Sequence, residues 1–323
     1  MTGRVVVIGD ALIDEIRADT GVHEFVGGAA LNVAVGLSRL GVPTALIAMV
    51  GDDAAGAHIR SYLETFGVEL LASPSPLGSS RAVSVRSGGG EPEYTFNDAA
   101  QQRRVRFGAR ERAAIADAPF VVVSCFPFDD VAQTGALADA VAGARLAIDP
   151  NPRTGMMHDL DEFRRGFERL AAGASVVKVG EDDAALLYGE PLDALRARLI
   201  DAGVDVVLAT QGAAGATLEA GGTPTPSRDD PDASREDSRR AGTAVTRPVS
   251  KLSGSIVDTM GAGDAAFAAT VAALVEATPA DADEWGAVLQ SAMDVAAATC
   301  RFEGALLRLP SALVGPDLDR LGT

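Results

Sequence analysis

The sequence predicts an α/β protein: a doubly wound, mainly parallel sheet flanked by helices, with a small β-sheet as a lid. Short Val- and Ile-rich runs alternate with Ala-rich stretches of helical spacing, the pattern of buried parallel strands under covering helices. The chain has 323 residues, 47% hydrophobic and 5% aromatic, enough to bury the core of one large unit. The expected organisation is one domain over 1–313, its lid formed by 11–27 and 68–101. A mobile surface loop is expected at 222–243 and a C-terminal tail at 314–323.

In chain order, the run 5–8 reads as the first buried strand and ends at Gly9-Asp10, where a loop carrying Asp14 begins. A carboxylate just past a strand's C-terminal end lies where open α/β sheets bind ligands. Residues 29–40 have helical spacing after Gly27-Gly28, and 45–50 return as a strand, closing one βαβ step. Between 68 and 96 the pattern shortens to alternating pieces, 81–86 and Glu93–Phe96, around Gly88-Gly89-Gly90, which predicts a hairpin that joins 16–26 in a separate small sheet. Strands resume at 120–124, 146–148, 175–179 and 204–209, with helices such as 129–142 and 161–172 between them. Residues 222–243 are rich in Pro, Ser, Asp and Arg and too polar to offset chain entropy by burial. Helices over Ala262–Glu276 and 284–302 follow.

Composition excludes several classes of partner. With 28 Lys plus Arg against 45 Asp plus Glu, the net charge of -17 opposes nonspecific binding to nucleic acid or to an anionic membrane. The N-terminal apolar run is too short for a signal peptide or a membrane span, so a cytoplasmic protein is expected. Cys125 and Cys300 lie far apart in apolar segments and read as inert buried thiols. The three His residues show no metal-ligand spacing, and no Ser-His-Asp arrangement can be assembled.

Three segments carry chemistry. In Asp258-Thr259-Met260-Gly261-Ala262-Gly263-Asp264 small residues allow a tight turn into a helix, whose first N–H groups point outward and can hold a phosphate. Asp264, in the first turn, is placed to take a proton from a hydroxyl against that phosphate. An ordinary helix entry would show the same residues, since the helix dipole favours Asp there. The run is neither a Walker A motif nor a dinucleotide fingerprint. In Gly27-Gly28-Ala29-Ala30-Leu31-Asn32, paired glycines permit close backbone approach and Asn32 offers a donor and an acceptor to a hydroxyl, unless it simply faces solvent. In Asp149-Pro150-Asn151-Pro152-Arg153, after a strand, Arg153 can face phosphate oxygens or stand solvated on a rigid turn. Lys178, Glu181 and the stretch from Thr210 to Gly215 also follow strands, at the ligand-binding edge.

In this order, and over nearly the whole chain, these segments resemble the ribokinase-like (pfkB) sugar kinases. The glycine-pair helix 27–40 and a run matching D-T-x-G-A-G-D are that family's two hallmark regions. The resemblance implies a kinase that uses ATP and Mg²⁺, and in several members K⁺, to phosphorylate a small-molecule sugar, with a possible homodimer through the lid. It makes Asp264 the catalytic base and the N–H groups of Ala262, Gly263 and Asp264, after Gly261, the anion hole. Asp14, Gly28 and Asn32 would hold sugar hydroxyls, and Arg153 would sit near the transferred phosphate or an acidic sugar group. Lys178, Thr210, Gly212 and Gly215 would border the nucleotide with Gly261 and Gly263. Glu181 would join the magnesium-water network, and Asp258 with carbonyls of 298–304 would bind the monovalent cation. Tyr94, Phe96 and Asn97 on the lid would set sugar identity.

Lys178 stands where many members have the Asn of N-x-x-E, and Asp149 to Arg153 reads D-P-N-x-R, both of which look like the fructokinase and ketodeoxygluconate kinase branches. A fructokinase-like activity is therefore expected. The alternatives are a 2-keto-3-deoxygluconate kinase, with Arg153 or Arg104 on the substrate carboxylate, a ribokinase or nucleoside kinase, and, in another class, a catalytically silent sugar-binding regulator. A nicotinamide-dependent oxidoreductase would need a glycine fingerprint after 5–8, where only Gly9 stands.

Overall fold

A computed structural model describes residues 3–18, 21–86, 93–222 and 242–313. The glycines 88–90, nearly all of the expected loop 222–243 and the expected tail 314–323 lie outside the described residues. Thirteen strands run along the described chain: β1 (Val5–Gly9), β2 (Leu12–Ala18), β3 (Gly21–Gly27), β4 (Thr44–Gly51), β5 (Glu69–Ser75), β6 (Ser80–Arg86), β7 (Glu93–Phe96), β8 (Val121–Ser124), β9 (Leu146–Asp149), β10 (Val176–Gly180), β11 (Val206–Thr210), β12 (Ala216–Ala220) and β13 (Thr243–Arg247). Nine form one sheet in the order β13-β12-β11-β10-β9-β8-β1-β4-β5, parallel from β11 to β5, with β12 and β13 added antiparallel at one edge.

Alternation along β1 shows why the sheet needs helices on both faces. Val5 and Val7 point to one side, with Leu31 and Leu37 of the helix Ala29–Arg39 and Phe267 and Val271 of the helix Ala262–Glu276. Val6 and Ile8 point to the other, with Phe163 and Phe167 of the helix Leu160–Ala171 and Leu195 of the helix Leu192–Asp201. All five residues of β1 and all eight of β4 are buried, so these strands read as continuous apolar runs rather than as an amphipathic pattern. Among the described residues no helix is long and apolar enough to cross a membrane.

The smaller sheet has the order β3-β2-β6-β7, with β2 and β6 parallel and the outer pairs antiparallel. One side chain fixes it to the main body and a second holds it together. Asp53 caps the helix Ala54–Thr65 by accepting from Gly56 N at 2.7 Å and also takes Ser79 N at 2.8 Å and Ser79 Oγ at 2.6 Å, just before β6. Asn97 Oδ1 accepts from Ala100 N and Arg81 N, both at 3.0 Å, and its Nδ2 donates to Ser79 O. Asn97, expected as a sugar-selecting side chain, is thus spent on holding β6 and β7 together.

The sequence-based lid range 68–101 is corrected in one part. Residues 69–75 are β5, the edge of the main sheet, paired in parallel with β4.

Candidate active site

The entry to the helix Ala262–Glu276 is built by Gly261 and Asp258. Gly261 has φ 74°, and a Cβ there would stand 2.7 Å from Cα, Cβ and O of Ala305. Both its backbone conformation and its packing therefore demand glycine. Asp258 Oδ1 accepts from Met260 N at 3.0 Å and its Oδ2 from Gly304 N at 3.3 Å, tying this turn to the loop that follows the helix Ala282–Thr299. Of the three N–H groups expected to form an anion hole, that of Ala262 donates to Thr259 O at 3.3 Å. The N–H groups of Gly263 and Asp264 have no partner among the described residues. The hole thus rests on two donors plus the dipole of a 15-residue helix.

Asp264 is buried, and its Oδ2 accepts from Asn32 Nδ2 at 2.8 Å across 232 positions of sequence. Asn32 is one turn into the helix Ala29–Arg39, whose start is held by Asp10: its Oδ1 accepts from Ala30 N at 2.9 Å and its main-chain O from Leu31 N at 3.2 Å. Gly28 enters that helix at φ 106°. At Gly27 a Cβ would lie 2.2 Å from Asp14 Oδ2, so the glycine makes room for a carboxylate that reaches it diagonally from β2, where Asp14 is opposite Phe25.

These groups face a cavity of about 780 Å³ between the C-terminal ends of the parallel strands and the smaller sheet. Asp10, Asp14, Asn32, Arg153, Asp264 and Phe96 are among its lining residues. Burial raises the Asp264 carboxyl above the usual range against the pull of Asn32, Lys178 and Arg153. It raises Asp10 likewise, and it pushes Asp14 up to about 7, helped by the negative charges of Asp10 and Asp264. Three carboxylates facing one cavity with raised proton affinity suit proton transfer and hydroxyl binding.

Behind this wall lies a second group. Lys178 Nζ sits 3.1 and 3.2 Å from the two carboxylate oxygens of Asp149, both side chains buried, Asp149 at the end of β9 and Lys178 in the middle of the adjacent strand β10. Burial works against the Lys178 ammonium, but Asp149, Asp183 and Asp264 hold it above the usual lysine range. Lys178 does not line the cavity; it lies under Gly263, with Nζ 3.4 Å from where a Cβ would be.

The segment after β10 departs from expectation. Glu181 is exposed at the first position of the helix Glu181–Tyr188 and stays outside the cavity lining. Asp182 lines the cavity instead, and buried Asp183 accepts from Gly180 N at 2.7 Å. Thr210, Gly212 and Gly215 stand together after β11, apart from the cavity; a Cβ on Gly215 would lie 2.1 Å from Arg247 O.

Sequence reasoning missed part of the cavity wall. Cys125, read as an inert buried thiol, is buried and lines the cavity at φ 49°; burial, helped by the negative charge of Asp10, raises its thiol far above the usual range, so it stays neutral. Buried Arg103 donates to the main-chain oxygens of Ala100, Cys125 and Met156, joining the cavity-lining Cys125 and Met156 to the short helix Asp98–Gln101. Asp10, immediately after the first strand, was the one of these that position alone could have flagged.

Comparison with known proteins bears on this site. A family model described as pfkB family carbohydrate kinase matches residues 2–312. A fructokinase of Rhizobium leguminosarum bv. trifolii is 29% identical over 288 residues, covering 84% of this chain and 79% of that protein. Aminoimidazole riboside kinase from Salmonella enterica, solved with aminoimidazole riboside and an ATP analog, superposes with a TM-score of 0.72 at 24% identity over 97% of this chain and 99% of that one. Fructokinase from Vibrio cholerae, solved with fructose, ADP and calcium ion, superposes with a TM-score of 0.71 at 23% identity, covering 94% of each chain.

Proposed function

Since the chain belongs to the pfkB family of carbohydrate kinases, we propose that it transfers the γ-phosphate of ATP to a hydroxyl of a neutral sugar, in the manner of a fructokinase. The observation that carries this reading is the hydrogen bond of cavity-lining Asn32 to cavity-lining Asp264, at a helix start where the N–H groups of Gly263 and Asp264 are open.

In this reading the sugar lies against Asp14, Gly28 and Asn32 with one hydroxyl on Asp264. Asp264 takes the proton as that oxygen attacks phosphorus, and Asn32 keeps the carboxylate oxygen aimed. The N–H groups of Gly263 and Asp264 take up charge on the phosphoryl group in flight, with the ADP leaving group directed toward Thr210, Gly212 and Gly215. The smaller sheet closes the sugar side and excludes water, which protects ATP from hydrolysis.

Mg²⁺ supplies neutralisation of the triphosphate when bound. The described residues contain no cluster of three or more acidic, His or Cys side chains able to cage a metal ion, but exposed Glu181 and cavity-lining Asp182 stand at the head of one helix. Such a donor set fits Mg²⁺ carried on phosphates and waters. Asp258, both of whose oxygens already accept N–H groups, would hold K⁺ through its remaining lone pairs with carbonyls of 298–304. The same reading pairs two copies through the smaller sheet, whose outer strand β3 leaves Val22 61% exposed; sedimentation velocity tests it.

Arg153 favours a second reading for the substrate. It lines the cavity, and its guanidinium has no hydrogen bond or ion pair to another described residue, so a sugar acid such as 2-keto-3-deoxygluconate would find a cation there. The decisive experiment is ADP release with MgATP on fructose, ribose, ketodeoxygluconate and a nucleoside, with and without K⁺, on the wild type and Asp264→Asn. Turnover on fructose that falls about a thousandfold in D264N is expected. Wild-type turnover rates in D264N would overturn the assignment of the base, and a preference for ketodeoxygluconate would select the second reading.

A further inference from the structure

We propose that the buried Lys178–Asp149 pair is a positioning element of the anion hole: Asp149 holds the Lys178 ammonium under the first turn of the helix Ala262–Glu276, where it adds positive charge behind the N–H groups of Gly263 and Asp264 without touching a ligand. The proposal rests on the phosphoryl-transfer reading above and assigns to it a residue beside the reacting groups. Three observations carry it. The ammonium is placed by both oxygens of a fully buried carboxylate, so it cannot swing into the cavity as a free phosphate ligand would. Neither member lines the cavity. And Gly263, having no side chain, leaves only backbone between Nζ and the open N–H groups.

Packing alone gives little reason for such a pair. A buried ion pair is weak evidence of stability, since removing two charges from water offsets most of their attraction. Hydrophobic residues of similar size would fill the same space between β9 and β10 as well. What a cation contributes here is potential at the point where negative charge gathers in transfer.

The charges surrounding this point come from every adjoining element. Asp149 is on β9, Asp183 on the helix Glu181–Tyr188, Asp264 on the helix Ala262–Glu276 and Arg153 on the loop after β9; Asp10 and Asp14 approach from β1 and β2. Arg103, beside Asp10, and Arg153 are the other cations near these carboxylates, and of the three only Lys178 stands under the helix turn that carries Gly263 and Asp264, so removing it leaves that turn without its buried ammonium.

The test compares the full-length wild type with Lys178→Met/Asp149→Asn, which removes both charges while keeping the side-chain volumes, and with Lys178→Arg, which keeps the charge. Thermal unfolding reports the fold, calorimetry the sugar Kd, and ADP release the kcat and its pH profile. The double variant is expected to fold and bind sugar within about threefold of the wild type. Its kcat falls by about 10- to 100-fold and the acid limb of its profile moves to higher pH, because Asp264 loses a neighbour that favours its ionised form. K178R is expected to keep about a third of kcat or more.

A double variant with wild-type kcat and an unmoved acid limb overturns the proposal. So does one that fails to fold, since the pair would then belong to the core, and so does K178R falling as far as the double variant, since shape would then decide. A wild type without turnover on any sugar overturns the kinase reading itself, and this proposal with it.

Discussion

Asn32 has two effects on Asp264 that pull apart in an experiment. Its amide aims one carboxylate oxygen, and by donating to the charged form it opposes the rise in proton affinity that burial causes. Asn32→Ala is therefore expected to lower kcat/KM by about 10- to 100-fold at neutral pH and to shift its acid limb upward, since the carboxylate then ionises only at higher pH. A pH–rate series on this variant checks both; an unshifted limb would mean that the bond does not reach the reacting state. The sequence made each of these residues a candidate from its own surroundings, one after a glycine pair and one in a helix's first turn. Their contact spans 232 positions and lies in tertiary structure alone. Cys125 was less legible still: nothing in an apolar run marks a residue that adopts φ 49° beside a carboxylate.

At the scale of elements, the entry to the helix Ala262–Glu276 depends on a position where two constraints coincide, and Gly212 provides the control. Gly261 and Gly212 both have positive φ, 74° and 49°, but a Cβ at Gly212 would meet open space, whereas at Gly261 it would collide with Ala305. Gly212→Ala is expected to cost about 1 kcal/mol, the backbone penalty alone. Gly261→Ala is expected to cost about 3 kcal/mol and most of the turnover, because relieving the clash moves the N–H groups that face the phosphate. Urea unfolding of both variants gives the comparison; equal losses would show that the contact with Ala305 yields freely. The same scale explains the assignments that sequence left wrong. Edge strand β5 alternates buried and exposed residues from Leu71 to Pro74, as the strands of a hairpin do, so its pattern reads as part of the lid. The central strands β1 and β4 are wholly buried and their apolar runs were plain to read. The antiparallel direction of β12 and β13 leaves no mark in hydrophobic period, which is 2 for either direction.

Across the whole molecule, the site is a place where the fold works against itself. Asp10, Asp14 and Asp264 are gathered at one cavity with their proton affinities raised first of all by burial, so at neutral pH the empty protein either carries confined negative charge or holds protons its unfolded chain would release. For Asp14 the folded value is about 7 against 3.8 for the unfolded chain. Its contribution to stability is fully present below the unfolded value and is lost as pH rises toward the folded one. Asp53 and Glu15 have lowered values, so they contribute in the opposite sense, and their stabilisation is lost only in stronger acid. Between these limits the ligand-free protein is expected to melt higher at about pH 5.5 than at about pH 7.5. The net charge of -17 gives a slope of the same sign through general self-repulsion, so the wild-type curve alone does not isolate the site. Asp14→Asn does: it removes the titrating group with little change of shape, and should raise ligand-free stability at about pH 7.5 by on the order of 1 kcal/mol while flattening the pH dependence. The same substitution should raise KM for the sugar, because the carboxylate that destabilises the empty site is the one positioned to accept sugar hydroxyls. A D14N protein that melts with the wild-type slope would place the pH dependence in surface charge and leave the cavity carboxylates as bystanders to stability.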